Sequence, residues 1–374
     1  MNQQENWRER NASDPWLLGI MCALLAAGLV TLYSVSQAGG SSNVVAKQVL
    51  FTLIGVVPFV IFWKTPLDFW RRSSAYLYVL NIILLLLVKV IGSSKKGAER
   101  WIELPFMQLQ PSEISKVLMV LTLCAYFADR RQEMHKFRTY AGSFLHCLPT
   151  FILVLTQPHM GATLVLLGTW FSICLVAGVP WKYLGPTIAG LLLMVTIVFK
   201  FPQVLPPYMA RRVEELVATN KGGGDKSAAG YQQEQSVRAF ATGGVSGTGF
   251  LKGEMKKGKY IPEQQNDFIF SVVGEEGGLV GCTIILSFFA ALFYRIWWTC
   301  VSATELFGRM AAMGALTVLG MHLVINLGMV LRVTPVIGLW LPFISAGGTA
   351  LWLCVSLVGL VMAVSSESNK AINF

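Results

Sequence analysis

The chain has 374 residues, of which 54% are hydrophobic and only 13% are charged. About 25% of the residues of a typical soluble domain are charged, so the composition excludes an ordinary soluble protein. The formal net charge of +10 would suit nucleic-acid binding, but the sequence has no basic tail and no nucleic-acid-binding motif. We therefore predict no nucleic-acid partner. Repeated apolar runs of about 20 residues indicate a polytopic helical membrane protein instead.

The predicted spans follow one another with short polar breaks, apart from one long interval at about 201–266. A long loop without regular structure is usually functional. The predicted fold is all-α, with one domain covering residues 1–374 and about ten transmembrane helices. These helices are placed at about 16–35, 46–63, 74–92, 111–128, 142–156, 161–178, 183–200, 267–294, 307–331 and 338–364.

The orientation follows from the cations of the short loops, which all fall on the same side as those of the N-terminus. An excess of Lys and Arg marks the cytoplasmic side of a membrane protein. Both termini are therefore predicted to be cytoplasmic, and the long loop is predicted to be external. The cations are Arg8, Arg10, Lys64, Arg71, Arg72, Arg130, Arg131, Lys136, Arg138, Lys182, Arg295 and Arg309.

A constellation of polar residues opens the fourth predicted span. Pro111 suits the first turn of a helix, and Glu113 suits its positive end. Glu113 and Lys116 are three residues apart, so they can pair on one helix face. The alternative is that Lys116, a cation within the membrane, holds a catalytic acid or a phosphate.

The long loop contains Arg211 and the glycine-rich segment Thr242–Gly249. Glycine-rich backbone beside cations can cradle a phosphate, or it can simply be a flexible, solvated loop. Farther along the chain, Pro335–Thr349 places proline and glycine inside an apolar stretch. This pattern predicts a broken helix, which membrane enzymes and transporters both use.

Asp267 lies where the polar loop meets the eighth predicted span. An ionisable residue at membrane depth is a functional hypothesis by default, although Asp is also a favoured helix N-cap. In a regular helix, Asp267 would share a stripe with Ser271, Gly274 and Gly278, with Glu275 beside it. For Glu275 and the neighbouring Glu276, the alternative to a functional role is buried pairing with Arg or Lys of another helix.

Six segments resemble, in their order along the chain, the motifs of the SEDS family, which serves shape, elongation, division and sporulation. Together with about ten spans and one large external loop, this resemblance covers most of the chain. The segments are Lys96–Trp101, Gln110–Lys116, Gly230–Ser236, Thr242–Gly249, Ile261–Gly278 and Pro342–Thr349.

The resemblance implies a peptidoglycan glycosyltransferase that polymerises lipid II outside the bacterial cytoplasmic membrane. It implies Asp267 as the general base for the acceptor hydroxyl, supported or oriented by Lys116, Glu113 and Glu275. The residues expected to contact lipid II and its diphosphate are Arg100, Arg211, Gln110, Ser112 and Ser345.

The implied partners are a class B penicillin-binding protein and other membrane proteins of the elongation complex. The short tails and the stretch Asn326–Gly338 resemble elongation members more than division members. Mg²⁺ or Mn²⁺ is compatible with a diphosphate substrate, but the sequence shows no ligand set. The alternatives are a division polymerase, a flippase or other transporter for a lipid-linked precursor, and a scaffold of weak activity.

Three positions depart from the family's pattern. His159 stands where the family has an acid, and it supplies no negative charge at neutral pH. Asn266 replaces the threonine before Asp267, and Ala346 replaces a tyrosine, so that a hydroxyl is missing. The departure at His159 puts a metal-binding role for that acid in doubt.

Overall fold

The computed structural model describes residues 14–37, 43–95, 98–103, 107–157, 159–201, 203, 210, 228–254 and 264–372. Arg211 and half of the predicted large loop at 201–266 lie outside them. Within the described residues, ten helices are long and apolar enough to cross a membrane. The prediction of an all-α, multi-pass membrane protein is therefore confirmed.

The described residues form twelve α-helices, of which α3 and α9 are the two that do not span. In chain order they are α1 (Pro15–Gln37), α2 (Asn43–Lys64), α3 (Leu67–Arg72), α4 (Ser74–Ile91), α5 (Pro111–Ala128), α6 (Phe137–Thr156), α7 (Met160–Ala177), α8 (Trp181–Lys200), α9 (Ala228–Gly243), α10 (Ile269–Ser302), α11 (Leu306–Val330) and α12 (Gly348–Ile372).

Most of the predicted spans begin and end within a few residues of the observed helices. The last one is an exception, because α12 begins at Gly348 rather than at residue 338. Gly338, Phe343 and Gly347 have φ values of 71°, 64° and 152°, which no right-handed helix accepts. Residues 338–347 are as apolar as a helix would be, and hydrophobicity alone therefore did not reveal the boundary.

The bundle has a buried centre and a lipid-facing periphery. Helices α5 and α12 are almost wholly buried, whereas α4 and α8 are mostly exposed. Helix α12 packs against α2, α11 and α5, and α11 packs against α7 and α10. Polar side chains on α5, α11 and α12 therefore face protein rather than lipid.

Three short strands join α4 to α5, in the segment that the sequence predicts only as an external loop. They are β1 (Ser93–Lys95), β2 (Ala98–Glu103) and β3 (Gln108–Leu109). They form an antiparallel sheet in which Ser93 pairs with Trp101 and Ile102 pairs with Leu109. The sheet lies at the end of the bundle where α5 begins.

Helix α10 has a break at Gly278, where φ is 60° and ψ is −159°. The backbone groups that the break frees are bonded to the glycine-rich segment Thr242–Gly249. Thr248 N donates to Glu275 O over 2.9 Å, and Gly249 N donates to Glu276 O over 3.1 Å. Leu279 N and Val280 N donate in turn to Gly244 O and Val245 O. Irregular backbone at membrane depth is tolerated only when its polar groups are satisfied in this way.

Glycine in this segment permits close backbone contact rather than a phosphate site. A Cβ at Gly247 would lie 2.1 Å from Glu276 O, and a Cβ at Gly278 would lie 2.3 Å from Gly247 N. The N–H groups of Thr248 and Gly249 already donate to α10. Both sequence interpretations of the segment, a phosphate cradle and a flexible loop, are therefore wrong.

The motif Gly230–Ser236 lies in α9 and caps the end of α11. Gln233 Nε2 donates to Met329 O over 3.0 Å and to Thr334 O over 2.8 Å. Ser236 Oγ donates to Val330 O over 2.9 Å. The last carbonyls of a helix have no partner within the helix, so α9 holds the end of α11 in place.

Candidate active site

Asp267 lies in a turn directly before α10. The N-cap position of that helix is Phe268, and the helix has no side-chain cap. The interpretation of Asp267 as an N-cap is therefore wrong. The predicted helical stripe is also wrong, because Asp267 precedes the helix and Gly278 is not helical. The carboxylate is instead carried by a short turn whose position depends on its neighbours.

The carboxylate of Asp267 lies against the irregular segment between α11 and α12. A Cβ built on Gly338 would be 3.5 Å from Asp267 Oδ2, and Gly338 itself adopts a left-handed φ of 71°. Glycine is the residue that adopts this conformation without strain. At Gly338, the carboxylate therefore lies beside backbone that carries no side chain.

Asn326 of α11 joins the two segments that meet at Asp267. Its Nδ2 donates to Asp267 O and to Leu339 O, each over 2.7 Å. The side chain is fully buried. An amide nitrogen carries two hydrogens, so one atom satisfies a carbonyl on each side.

A second link between the same segments comes from Ser345. Its hydroxyl donates to Asn266 O over 2.6 Å and accepts from Leu341 N over 2.8 Å. Ala346 N donates to Gln265 O over 2.9 Å. The structure thus places Ser345 beside Asp267, but its hydroxyl binds the backbone of the protein.

Gln48 of α2 holds the far end of this segment. Its Oε1 accepts from Gly347 N over 3.0 Å, and its Nε2 donates to Ser345 O over 3.4 Å. We name residues 331–347 the α11–α12 segment, since they connect these two helices. Two buried side chains, Asn326 of α11 and Ser345 of the segment itself, therefore hold it against the turn that carries Asp267, and Gln48 holds it against α2.

Lys116 and Glu113 form a buried pair in the middle of the bundle. Lys116 Nζ lies 2.8 Å from both carboxylate oxygens of Glu113 and 2.8 Å from His322 Nε2. Lys116 and Glu113 are 0% and 1% exposed. Because Lys116 carries three donors and no acceptor, His322 Nε2 accepts and its Nδ1 carries the proton. His322 Nδ1 then faces Trp340 O at 3.4 Å.

Among the described residues, Lys116 is linked to Asp267 through α11, and it also lies 5.5 Å from the ring centroid of Trp340 in the α11–α12 segment. His322 and Asn326 are four residues apart, so they lie one above the other on one helix face. His322 contacts Lys116 at one end of this face, and Asn326 contacts Asp267 O at the other. The sequence interpretation missed both residues. Two polar side chains at this spacing in an otherwise apolar helix were the signal that could have found them.

Gln110 and Ser112 lie at the start of α5. Gln110 N donates to Thr349 Oγ1 over 3.3 Å, and Thr349 Oγ1 donates to Gln108 O over 3.1 Å. The side chain of Ser112 is 1% exposed. Its hydroxyl has no hydrogen-bond partner among the residues that the structure describes. An unpaired buried hydroxyl retains the capacity to bind a polar ligand group.

Arg100 and His159 lie beside the turn between α6 and α7. Arg100 Nε donates to Gln157 O over 2.9 Å. His159 caps α7, because its Nδ1 accepts from Ala162 N over 3.1 Å. Asp is also a favoured N-cap, so the histidine performs the capping role that the family's acid could perform. Arg211 lies outside the described residues.

The two glutamates of α10, Glu275 and Glu276, contact other parts of the protein than the Lys116–Glu113 pair. Glu276 accepts hydrogen bonds from Ser34 Oγ over 2.8 and 2.6 Å. The carboxylate of Glu275 is fully buried and lies beside the backbone of Gly253, where an added Cβ would be 2.7 Å from Oε2. Glu275 therefore supports the loop that precedes Asp267 in the chain. Among the described residues, no group of three or more His, Cys, Asp or Glu could hold a metal ion.

Comparison with known proteins identifies the family of this chain. Residues 15–370 match the model of the FtsW/RodA/SpoVE family, described as cell cycle protein. The chain therefore belongs to this family of multi-pass membrane proteins, which is the family that its six motifs resemble.

Individual relatives match over nearly their whole length. The chain is 31% identical to the peptidoglycan glycosyltransferase MrdB of Escherichia coli K12, over 95% of this chain and 94% of that one. It is 33% identical to a probable peptidoglycan glycosyltransferase FtsW of Trichlorobacter lovleyi, over 94% and 93%. A chain in a solved structure of a peptidoglycan synthase complex for polymerization and crosslinking superposes with a TM-score of 0.80 and 29% identity, over 96% and 98%.

Proposed function

We propose that this protein polymerises lipid II into glycan strands on the outer face of the cytoplasmic membrane, with Asp267 as general base. Its family and its named relatives make the chain a peptidoglycan glycosyltransferase. The observation that carries the residue assignment is the Asp267 carboxylate, which lies beside the bare backbone of Gly338. Its turn is fixed by Asn326 and Ser345.

The chemistry needs one base and a stabilised leaving group. Asp267 takes the proton of the acceptor sugar's 4-hydroxyl, and that oxygen forms a bond to the anomeric carbon of the donor. The bond from this carbon to the lipid diphosphate breaks, and the diphosphate leaves with the electron pair. Because the leaving group is already an anion, it needs cations more than a proton. A second carboxylate flanking the bond, as in a glycoside hydrolase, is not required.

One supporting residue contacts the turn of Asp267 directly, and the others act through further residues. Ser345 holds the turn directly through Asn266 O. Lys116 and Glu113 act through His322 on the α11–α12 segment, and Glu275 acts on the loop around Gly253. We therefore assign Ser345 to positioning rather than to substrate contact, because its hydroxyl donates its one hydrogen to Asn266 O and accepts from Leu341 N.

The diphosphate is assigned to groups at and near the start of α5. Gln110 and Ser112 are the proposed polar contacts there, and Arg100, beside the turn between α6 and α7, is a proposed cation. Arg211, which lies outside the described residues, is the second proposed cation. A Mg²⁺ or Mn²⁺ ion would accompany the diphosphate, since such ions are commonly held by one or two carboxylates together with substrate phosphates. Protein clusters of three ligands are not needed for that arrangement.

The cellular setting is assigned from charge and from resemblance. The cations of the short loops favour cytoplasmic termini, which puts Asp267 on the external side. The proposed partner is a class B penicillin-binding protein, because the superposed relative belongs to a complex for polymerization and crosslinking. An elongation role, together with other membrane proteins of that complex, is favoured over a division role by the Asn326–Gly338 stretch.

The decisive experiment is lipid II polymerisation by the purified protein with its candidate class B partner, in Mg²⁺ or Mn²⁺. We expect glycan chains from the wild type and none from Asp267→Asn. The matched control is Asp129→Asn, which removes an exposed carboxylate paired with Arg71 and should leave polymerisation unchanged. Both variants are compared with the wild type by thermal denaturation.

Two outcomes would overturn the proposal. Equal product from wild type and a folded Asp267→Asn variant would remove Asp267 as the base. No product from the wild type, together with movement of labelled lipid II across liposome membranes, would make the protein a transporter.

A further inference from the structure

Asn326 is the one described side chain that bonds to Asp267 O and to the α11–α12 segment at the same time. Both of its contacts are 2.7 Å long and both come from Nδ2. Its Oδ1 is buried and accepts no hydrogen bond from the residues that the structure describes. The whole hydrogen-bonding contribution of Asn326 to the protein therefore comes from its two donors.

These donors determine where the carboxylate of Asp267 lies. Asp267 precedes α10, so no helical hydrogen bond of that element fixes its carbonyl. Leu339 follows Gly338, whose backbone lies beside Asp267 Oδ2. By bonding Asp267 O and Leu339 O to one nitrogen, Asn326 sets the separation between the carboxylate and the surface against which it lies.

We propose that Asn326 is a positioning residue for Asp267: it holds the turn that carries the base in register with Gly338. The proposal rests on the function proposed above. Asn326 has a rigid platform for this task, since α11 is capped by Gln233 and Ser236 immediately beyond it. His322, one turn earlier, is held by Lys116. The links from Ser345 and Ala346 reach Asn266 and Gln265, whereas the link from Asn326 reaches Asp267 itself.

The consequence for the reaction is specific. Loss of the two donors does not alter the Asp267 side chain itself. It removes the hydrogen bonds by which Asn326 links Asp267 O to Leu339 O. A displacement of about 1 Å of a reacting group can lower the rate about 100-fold. Contacts with lipid II made elsewhere are not changed, so the loss falls on kcat rather than on KM.

The test uses Asn326→Asp, which preserves shape but replaces both donors by acceptors, and Asn326→Leu, which removes all polar atoms. Each is purified with the class B partner and assayed for lipid II polymerisation at varied substrate concentration. We expect kcat to fall about 100-fold, while KM stays within about threefold of the wild-type value. The wild type and Asp267→Asn are assayed in parallel, so that failure of the proposed function is seen separately.

The matched control is Asn81→Leu. Asn81 is also a buried asparagine with two side-chain partners, Thr150 and Ser115, but it lies on α4. We expect Asn81→Leu to lower thermal stability about as much as Asn326→Leu while changing kcat far less. If the two leucine variants lose activity equally, or if folded Asn326→Asp polymerises at the wild-type rate, the proposal is wrong. If Asn326→Leu fails to fold, Asn326→Ala replaces it, because alanine removes both donors without adding bulk or a buried charge.

Discussion

Two stretches of irregular backbone among the described residues of this membrane bundle are stabilised in different ways. At the break in α10, the polar groups are satisfied by the backbone of the segment Thr242–Gly249. In the α11–α12 segment, backbone hydrogen bonds are joined by hydrogen bonds from the side chains of Gln48, Asn326 and Ser345. The first arrangement depends on glycine and close contact. The second depends on particular polar side chains, and it is the one that lies against Asp267.

We infer from this difference that the α10 break serves the fold and that the α11–α12 segment serves the candidate active site. A backbone-to-backbone contact fixes the fold but offers no side chain whose chemistry can be tuned. In a side-chain contact, the residue type and its position determine where the hydrogen-bond donor lies. Such contacts around a reacting group set its geometry. We therefore expect damage at the α10 break to appear mainly as lost stability. Damage at the α11–α12 segment should appear also as lost catalysis.

The largest effect should come from Lys116→Met, which removes the cation below the α11–α12 segment. Glu113 would then be a buried carboxylate without its partner, and such a change costs about 3–5 kcal/mol. Thermal denaturation in detergent measures the loss. The double variant Glu113→Gln/Lys116→Met should recover much of it. Arg71→Ala breaks a pair whose side chains are 41% and 54% exposed, and it should cost about 1 kcal/mol or less.

This prediction fails if Lys116→Met is no less stable than Arg71→Ala. A double variant that is less stable than Lys116→Met would also contradict it, because the cost would then not come from the uncompensated charge.

A somewhat smaller effect is expected from Gly247→Ala, which acts on the α10 break. Gly247 has a φ of 78°, and its new Cβ would lie 2.1 Å from Glu276 O. Backbone strain and overpacking together should cost about 3 kcal/mol. Gly244→Ala is the control, because Gly244 also has a positive φ but nothing lies within 4 Å of its Cβ.

Thermal denaturation of the two alanine variants separates the cost of backbone strain from the cost of overpacking. The stability lost by Gly244→Ala reports the left-handed conformation alone, and the further loss by Gly247→Ala reports the contact with α10. Equal losses would mean that close contact with Glu276 does not matter.

The smallest effect on stability, with a distinct effect on rate, is expected from Ser345→Ala. The change removes two hydrogen bonds, to Asn266 O and from Leu341 N, and should cost about 1–3 kcal/mol. Ser236→Ala is the matched variant, since it removes a buried hydroxyl that donates to Val330 O. We expect similar losses in thermal stability but a lower polymerisation rate only for Ser345→Ala. A Ser236→Ala variant with the same loss of rate would make the effect general rather than local.

The helices could be predicted from the sequence because each is a run of apolar residues near the length that crosses a bilayer. The prediction was wrong where residues were apolar but not helical. Residues 338–347 continue a hydrophobic run, and the left-handed backbone at Gly338, Phe343 and Gly347 separates them from α12. The proline and glycine of Pro335–Thr349, which predict a broken helix, marked this region, whereas hydrophobicity did not. Hydrophobicity reports transfer into lipid, and it contains no information about φ.

The site could be predicted in its parts but not in its connections. Asp267, Lys116 and Ser345 were identified from the sequence as site candidates, whereas Asn326 and His322 were not. The links among them join residues far apart in the chain, such as Ser345 with Asn266 and Lys116 with His322. A single sequence does not reveal such pairs. It does reveal a cation inside an apolar helix, which requires a partner; Glu113 of the same helix is one such partner, and His322 of α11 is a second contact.

The break at Gly278 also affects how the protein fits its bilayer. An unbroken helix of 34 residues would be about 51 Å long, whereas the hydrocarbon layer is about 30 Å thick. After the break, residues 279–302 are about 36 Å long and can cross the layer with a moderate tilt. The short portion before it, Ile269–Gly277, is mostly buried in protein. We therefore expect changes in lipid chain length to alter the tilt of residues 279–302, while contacts with neighbouring helices set the depth of Asp267.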